Sequence, residues 1–142
     1  MRGVSESIQT ALDASAAKLV VIIDDDPLVL DALGGLLRSW RFRVVTAASD
    51  GAALEQLAEL QQSPHLIISD YHLSDGTTGI EAIERLRTAF QIPALLISGD
   101  AAPERLREAH ARGYHLLHKP VDAKTLRAIL TRALKDIAGP EG

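Results

Sequence analysis

Four short stretches hold the residue types that could do chemistry: Asp24-Asp25-Asp26, Asp70, Ser98-Gly99-Asp100 and His118-Lys119-Pro120. Each follows a run of apolar residues. Gathered in one place, they would put several carboxylates, one hydroxyl and one ammonium into a small volume. Crowded carboxylates repel and hold their protons more tightly than in water. A divalent cation is the simplest remedy, and Mg²⁺ prefers oxygen ligands, keeps several waters and takes one or two carboxylates directly. Such a cation would keep Asp70 ionised and nucleophilic and would neutralise an incoming phosphoryl group. Phosphoryl transfer is mostly positioning and charge neutralisation, so an aspartate, a metal, a hydroxyl and a lysine form a sufficient set. Covalent aspartyl phosphates are an established form of nucleophilic catalysis.

Taken singly, each residue has a plainer reading. Asp26 is a helix cap, Asp24 a loop residue, and Asp100 a cap for the helix that Pro103 opens. Ser98 satisfies a strand end, and Lys119 is a surface lysine. His65, His72, His110, His115 and His118 lack metal-ligand spacing and read as surface or loop residues, and Tyr71 reads as packing. The weight lies in the set and its order.

The elements that must position this set are legible as an alternation. Leu19–Ile23 is a continuous apolar run, as expected of a strand buried on both faces. Asp26-Pro27 opens a helix with Leu30, Leu33, Leu37 and Trp40 at helical spacing. Arg43–Ala47 is a second strand, and Ser49 or Asp50 caps a helix with Leu54, Leu57 and Ala58 inward. Leu66–Ser69 is a third strand, followed by a polar loop and a helix carrying Ile80, Ile83 and Leu86. Ala94–Ile97 is a fourth strand, and Pro103 opens a helix to about Arg112. Leu116-Leu117 is a short fifth strand, and Asp122 caps a last helix with Leu126, Ile129, Leu130, Ala133, Leu134 and Ile137 on one stripe. Five such alternations imply an α/β fold with a parallel sheet covered on both faces. Ligands in such sheets bind at the carboxyl ends of the strands, where the four stretches lie. Trp40 falls at the far end of its helix from that rim.

Composition narrows the classes. The 142 residues fit one domain, and the apolar fraction of 46% supports a real core. Net charge is −4 with no basic stripe, so direct nucleic-acid binding is not expected. Without cysteine there is no disulfide and no thiolate metal site. No apolar run is long enough to span a bilayer and no signal-peptide core opens the chain, so no membrane contact and a cytoplasmic location are expected. Residues 1–17 read as a linker or tail, 18–138 as the domain, and 139–142 as a second tail.

At these residues the chain resembles response-regulator receiver domains. Val21-Ile22-Ile23-Asp24-Asp25-Asp26-Pro27 is similar to the family's first strand and acidic pocket, and Ile67-Ile68-Ser69-Asp70-Tyr71 to its phosphoacceptor strand. Leu95-Leu96-Ile97-Ser98-Gly99 is similar to the strand ending in Thr/Ser, and His118-Lys119-Pro120 to the Lys-Pro signature. The resemblance implies a doubly wound five-stranded parallel sheet of order 2-1-3-4-5 in a flavodoxin-like three-layer sandwich with five helices. It implies that Asp70 is phosphorylated by transfer from a phosphohistidine. Mg²⁺ (or Mn²⁺) would be held directly by Asp25, Asp70 and the backbone carbonyl of His72, and by Asp24 through a water. Ser98 and Lys119 would each meet a phosphoryl oxygen, and the Lys119-Pro120 bond would be cis. His72 and Asp100 would flank the approaching water and tune the phosphoryl lifetime. The partner would be a histidine kinase or histidine phosphotransfer domain, and a homodimer is compatible. The domain would assist its own phosphorylation and dephosphorylation without turning over as an enzyme.

Three departures from the family pattern are visible. The loop after Asp70 is one residue longer than usual. The stretch from Gly113 to Lys119 is one residue shorter. Leu116 stands where many members carry the Tyr or Phe that works as a switch with the Ser98 position, so the usual aromatic switch is absent or Tyr114 substitutes for it from a shifted register. The patterns Asp70-Tyr71-x-Leu73-x-x-Gly76-x-x-Gly79 and Leu116-Leu117-His118-Lys119-Pro120-Val121 are most similar to the C-terminal receivers of hybrid sensor histidine kinases. The alternatives are a stand-alone response regulator, a degenerate receiver, a Mg²⁺-dependent aspartate-nucleophile phosphatase and a flavodoxin-like cofactor binder. The phosphatase would require an acid/base aspartate where His72 stands. The cofactor binder would require a phosphate loop where three aspartates stand.

Overall fold

Leu-Val-Val-Ile-Ile forms the central strand β1 (Leu19–Ile23), and all five residues are buried. β-Branched side chains suit such a strand because they pack on both faces of a pleated sheet. The structure, a computed structural model, describes residues 18–73, 76–99 and 103–138. Along them β1 is followed by α1 (Pro27–Ser39), β2 (Arg43–Ala47), α2 (Asp50–Leu60), β3 (Leu66–Asp70), α3 (Gly79–Arg87), β4 (Ala94–Ser98), α4 (Pro103–Ala111), β5 (His115–His118) and α5 (Ala123–Ala138). The strands are parallel in the order β2-β1-β3-β4-β5, as expected.

Alternation along β1 divides the core. Leu19, Val21 and Ile23 face a layer that includes Ala53 and Leu57 of α2, Ile80, Ile83 and Leu86 of α3, and Ala109 of α4. Val20 and Ile22 face Leu33 and Leu37 of α1 and Leu126, Leu130 and Leu134 of α5. Fully burying each Leu or Ile contributes about 1.5–3 kcal/mol, so both layers are held mainly by apolar burial.

Local chemistry sets the helix starts. Asp26 accepts the Leu28 amide at 3.0 Å with Pro27 at the first helical position. Ser49, rather than Asp50, caps α2 by accepting the Ala52 amide at 3.1 Å. Thr78 and Glu81 form a reciprocal capping box on α3. Asp122 accepts the Thr125 amide at 2.9 Å at the start of α5.

The structure corrects several boundaries. β3 and β4 each run one residue further than the apolar pattern, and β5 extends to His115 and His118 because its pairing with β4 continues through Leu95–His115 and Ser98–His118. Ala58 is exposed rather than inward: it sits one position past buried Leu57, about 100° further around the helix. Residues 1–17, 139–142 and the side chain of Ile137 lie outside the described residues.

Candidate functional site

Strand register brings the four stretches to one rim. Ile23 pairs with Ser69, Asp70 with Ile97, and Ser98 with His118. Asp24 therefore emerges beside Asp70, and Lys119 leaves β5 with its amide donating to the Ser98 carbonyl at 2.9 Å.

Each side chain is set by local structure. The Asp24 amide donates to the Ala47 carbonyl at 3.1 Å, which continues the β1–β2 pairing for one more residue. Its carboxylate Oδ1 accepts the Asp26 amide at 2.9 Å and so turns the chain toward α1. Asp24 is buried and Asp25 exposed, so a pair of neighbouring carboxylates spans the wall and the mouth of the pocket. Asp70 is buried, and the Lys119 Nζ sits 3.1 Å from its Oδ1. Ser98 is fully buried at the end of β4. The Lys119-Pro120 peptide bond is cis.

One carboxylate oxygen from each of Asp24, Asp25 and Asp70 lies within 4.8 Å of the others. The donors are all hard oxygens, the set that suits Mg²⁺ or Mn²⁺ rather than a soft metal. The electrostatics agree. Burial pushes the Asp24 carboxyl up to about 6, and the Asp26 amide opposes this; Asp70 raises it further, Lys119 lowers it, and Asp25 raises it. The excess negative charge is only partly met by Lys119. A divalent cation there would favour the ionised form of Asp24 and offset the effect of its burial.

His72 is exposed two residues past Asp70 and pairs with Thr78 in an isolated antiparallel bridge. Asp100 lies outside the described residues. Leu116 is half-buried against the core layer that includes α3 and α4. Tyr114, on the same side, is buried; its hydroxyl donates to Glu84 of α3, and the Arg87 guanidinium lies 5.5 Å from its ring centroid. Tyr114 stands four residues before His118, toward the end of the sheet away from the rim.

Several contacts escaped the sequence reading. Tyr71 is more than packing: Arg105 of α4 lies 4.8 Å from its ring centroid, and its hydroxyl reaches Glu108 of α4 at 3.5 Å. Gly79 brings the start of α3 against the Asp70 backbone, and its amide donates to the Tyr71 carbonyl at 2.6 Å. The spacing Thr78-x-x-Glu81 is a capping-box signal that could have located this helix start. His65, read as a surface or loop residue, is half-buried and its Nδ1 accepts the Leu19 amide at 3.0 Å. No local signal reveals that contact, which joins residues 46 apart.

Comparison with known proteins agrees with this arrangement. Residues 20–131 match the family model described as the response regulator receiver domain. The chain is 30% identical over 124 residues to the phyllosphere-induced regulator PhyR of Methylorubrum extorquens, covering 87% of this chain but 46% of that protein. It is 31% identical over 119 residues to the two-component response regulator ORR3 of Oryza sativa, covering 81% of this chain and 89% of that one. Among solved structures, the receiver domain of PhyR from Erythrobacter litoralis superposes with a TM-score of 0.69 at 34% identity, over 82% of this chain and 89% of that one. A receiver domain from Clostridium thermocellum superposes with a TM-score of 0.76 at 21% identity, over 85% of this chain and 97% of that one, a likeness of fold.

Proposed function

The chain belongs to the response regulator receiver domain family of two-component signalling, and from that premise we propose that Asp70 accepts a phosphoryl group from a phosphohistidine in a Mg²⁺-dependent step. The observation that carries the reading is the contact of Lys119 Nζ with Asp70 Oδ1 at 3.1 Å, beside carboxylates of Asp24 and Asp25.

Lys119 orients the Asp70 carboxylate for attack. A carboxylate oxygen forms a bond to phosphorus as the donor's P–N bond breaks, and the electron pair returns to the imidazole nitrogen, which takes up a proton. The ammonium of Lys119 and the hydroxyl of Ser98 would then each meet a phosphoryl oxygen. Asp25, Asp70 and the His72 carbonyl, together with Asp24, would hold a divalent cation, which would supply charge neutralisation for the transfer. His72 and Asp100 are proposed to tune the lifetime of the product. Incubation with Mg²⁺ and acetyl phosphate is expected to add one phosphoryl group to the wild-type chain and none to Asp70→Asn. Equal labelling of both would overturn the assignment.

The phosphodonor is proposed to be a histidine kinase or phosphotransfer protein that covers the mouth of the pocket at α1. Leu28, in the first turn of α1, is 76% exposed. Its neighbour Val29 lines a groove of about 320 Å³ whose wall includes Leu33, Ile97 and Lys119 itself. A protein delivering a phosphoryl group to Asp70 must approach Lys119 and so meet this apolar surface. Leu28→Ala is expected to slow transfer from the donor protein while leaving labelling by acetyl phosphate unchanged; equal rates from the donor would remove Leu28 from the docking surface.

The loop after Asp70 and the Leu-Leu-His-Lys-Pro-Val stretch support a receiver within a hybrid sensor kinase. The match spans 89% of ORR3 but 46% of PhyR, so receivers similar to this one occur both with little else and within longer chains, and a stand-alone regulator is the alternative. The coding sequence on either side of this segment distinguishes the two.

A further inference from the structure

We propose that Gly79 is a positioning residue for the phosphoacceptor segment: lacking a side chain, it lets the first turn of α3 press on the Asp70 backbone and hold Asp70 to His72 in the geometry the transfer needs. The inference rests on the function proposed above and adds a residue outside the acidic pocket.

A Cβ at position 79 would lie 2.2 Å from the Asp70 carbonyl oxygen, 3.0 Å from its carbonyl carbon and 2.8 Å from Leu96 Cδ2. The nearest of these is backbone in the centre of the sheet, so it cannot swing aside as a flexible side chain would. Gly76 and Gly113 differ in kind: both have positive φ, with open space around the missing Cβ. Gly79 is needed for close approach rather than for a left-handed backbone.

The contact is braced on both sides. The Gly79 amide donates to the Tyr71 carbonyl at 2.6 Å, and the Tyr71 amide donates to the Ile97 carbonyl of β4 at 2.8 Å. His72 pairs with Thr78, and the Leu73 amide donates to the Thr77 carbonyl at 3.2 Å. The helix start is itself secured: the Glu81 amide donates to Thr78 Oγ1, and the Thr78 amide donates to Glu81 Oε1, both at 3.2 Å. The held residue, Tyr71, lies between the attacking carboxylate of Asp70 and the His72 carbonyl proposed to ligate the cation. A shift at Gly79 would therefore move two oxygen donors together.

The test compares Gly79→Ala, Leu96→Ala and the double variant at a temperature where circular dichroism shows all three folded. Mg²⁺ affinity is read by calorimetric titration, and phosphorylation by labelling with acetyl phosphate. Gly79→Ala is expected to bind Mg²⁺ about 10–100-fold more weakly, as when an outer-shell support is lost. Leu96→Ala is expected to lower Tm with affinity near wild type. The double variant, which removes the Leu96 clash but keeps the clash with the Asp70 carbonyl, is expected to stay as weak as Gly79→Ala. Wild-type affinity in either variant that carries the Gly79→Ala change would overturn the proposal. Where Gly79→Ala does not fold, amide hydrogen exchange on the wild-type chain decides. Coupling is reciprocal, so Mg²⁺ must slow exchange of the Gly79 amide by at least about fivefold relative to Ile83; unchanged exchange would overturn the proposal. A wild-type chain that neither binds Mg²⁺ nor takes a phosphoryl group would remove the functional reading and this inference with it. A wild-type chain that does both, matched by Gly79→Ala, would remove this inference alone.

Discussion

Asp24 and His65 lie at opposite ends of the sheet, and burial drives both away from their charged forms. Asp24, at the rim, is held up to about 6 by burial, against the pull of the Asp26 amide. His65, before β3 at the other end, is held below its ordinary 6.5 by burial and then by the nearby charges of Lys18 and Arg43. The two differ in what surrounds them. His65 stays neutral and uses Nδ1 to accept the Leu19 amide, a complete structural arrangement. Asp24 sits among two further carboxylates, with Lys119 against Asp70, an arrangement left with excess negative charge. Desolvation alone does not tell the two groups apart; the surrounding charge does.

The contrast has opposite signs in pH. Asp24 has a folded pKa above its ordinary 3.8, so the folded state retains a proton that the unfolded state releases. Stability is unaffected below 3.8, falls as pH rises toward about 6 and then levels off, a cost of up to about 3 kcal/mol at neutral pH. Asp24→Asn keeps an acceptor for the Asp26 amide. It is expected to raise the stability of the metal-free protein at pH 7.5 by up to that amount, with the gain vanishing below 3.8 and the stabilisation by Mg²⁺ reduced. Urea unfolding at several pH values, with and without Mg²⁺, checks this; a variant no more stable than wild type at pH 7.5 would break the comparison.

The His65 contribution runs the other way. It is complete above 6.5 and is lost as pH falls through the lowered folded value. His65→Ala leaves the Leu19 amide without its acceptor and is expected to cost about 1–3 kcal/mol at pH 7.5. The difference from wild type should narrow in acid, while Mg²⁺ affinity is unchanged. Loss of Mg²⁺ affinity in this variant would show that the two ends of the sheet are coupled.

A smaller effect sharpens the contrast with surface charge. Arg112 pairs with Glu84 at 3.4 Å and Glu108 at 3.9 Å, all well exposed. Arg112→Ala is expected to cost less than about 1 kcal/mol and less still at high salt. A loss above about 2 kcal/mol would make this α3–α4 link structural rather than incidental.

Sequence alone determined the alternation of elements, the caps at Asp26 and Asp122, and Asp70 with its partners at the strand ends. These are short-range signals: apolar runs, helical spacing, capping residues and motif stretches a few residues long. The boundaries of β5 and the exposure of Ala58 depended instead on which neighbours each element met. Only the tertiary structure decided the rest. The Lys119–Asp70 contact, the raised proton affinity of Asp24, the His65–Leu19 hydrogen bond and the pressure of Gly79 on the Asp70 carbonyl all join residues distant in sequence or depend on such neighbours. A glycine needed for space looks, in sequence, like a glycine needed for a turn. The difference appears only when the backbone of a strand packed against its helix occupies the volume its side chain would have filled.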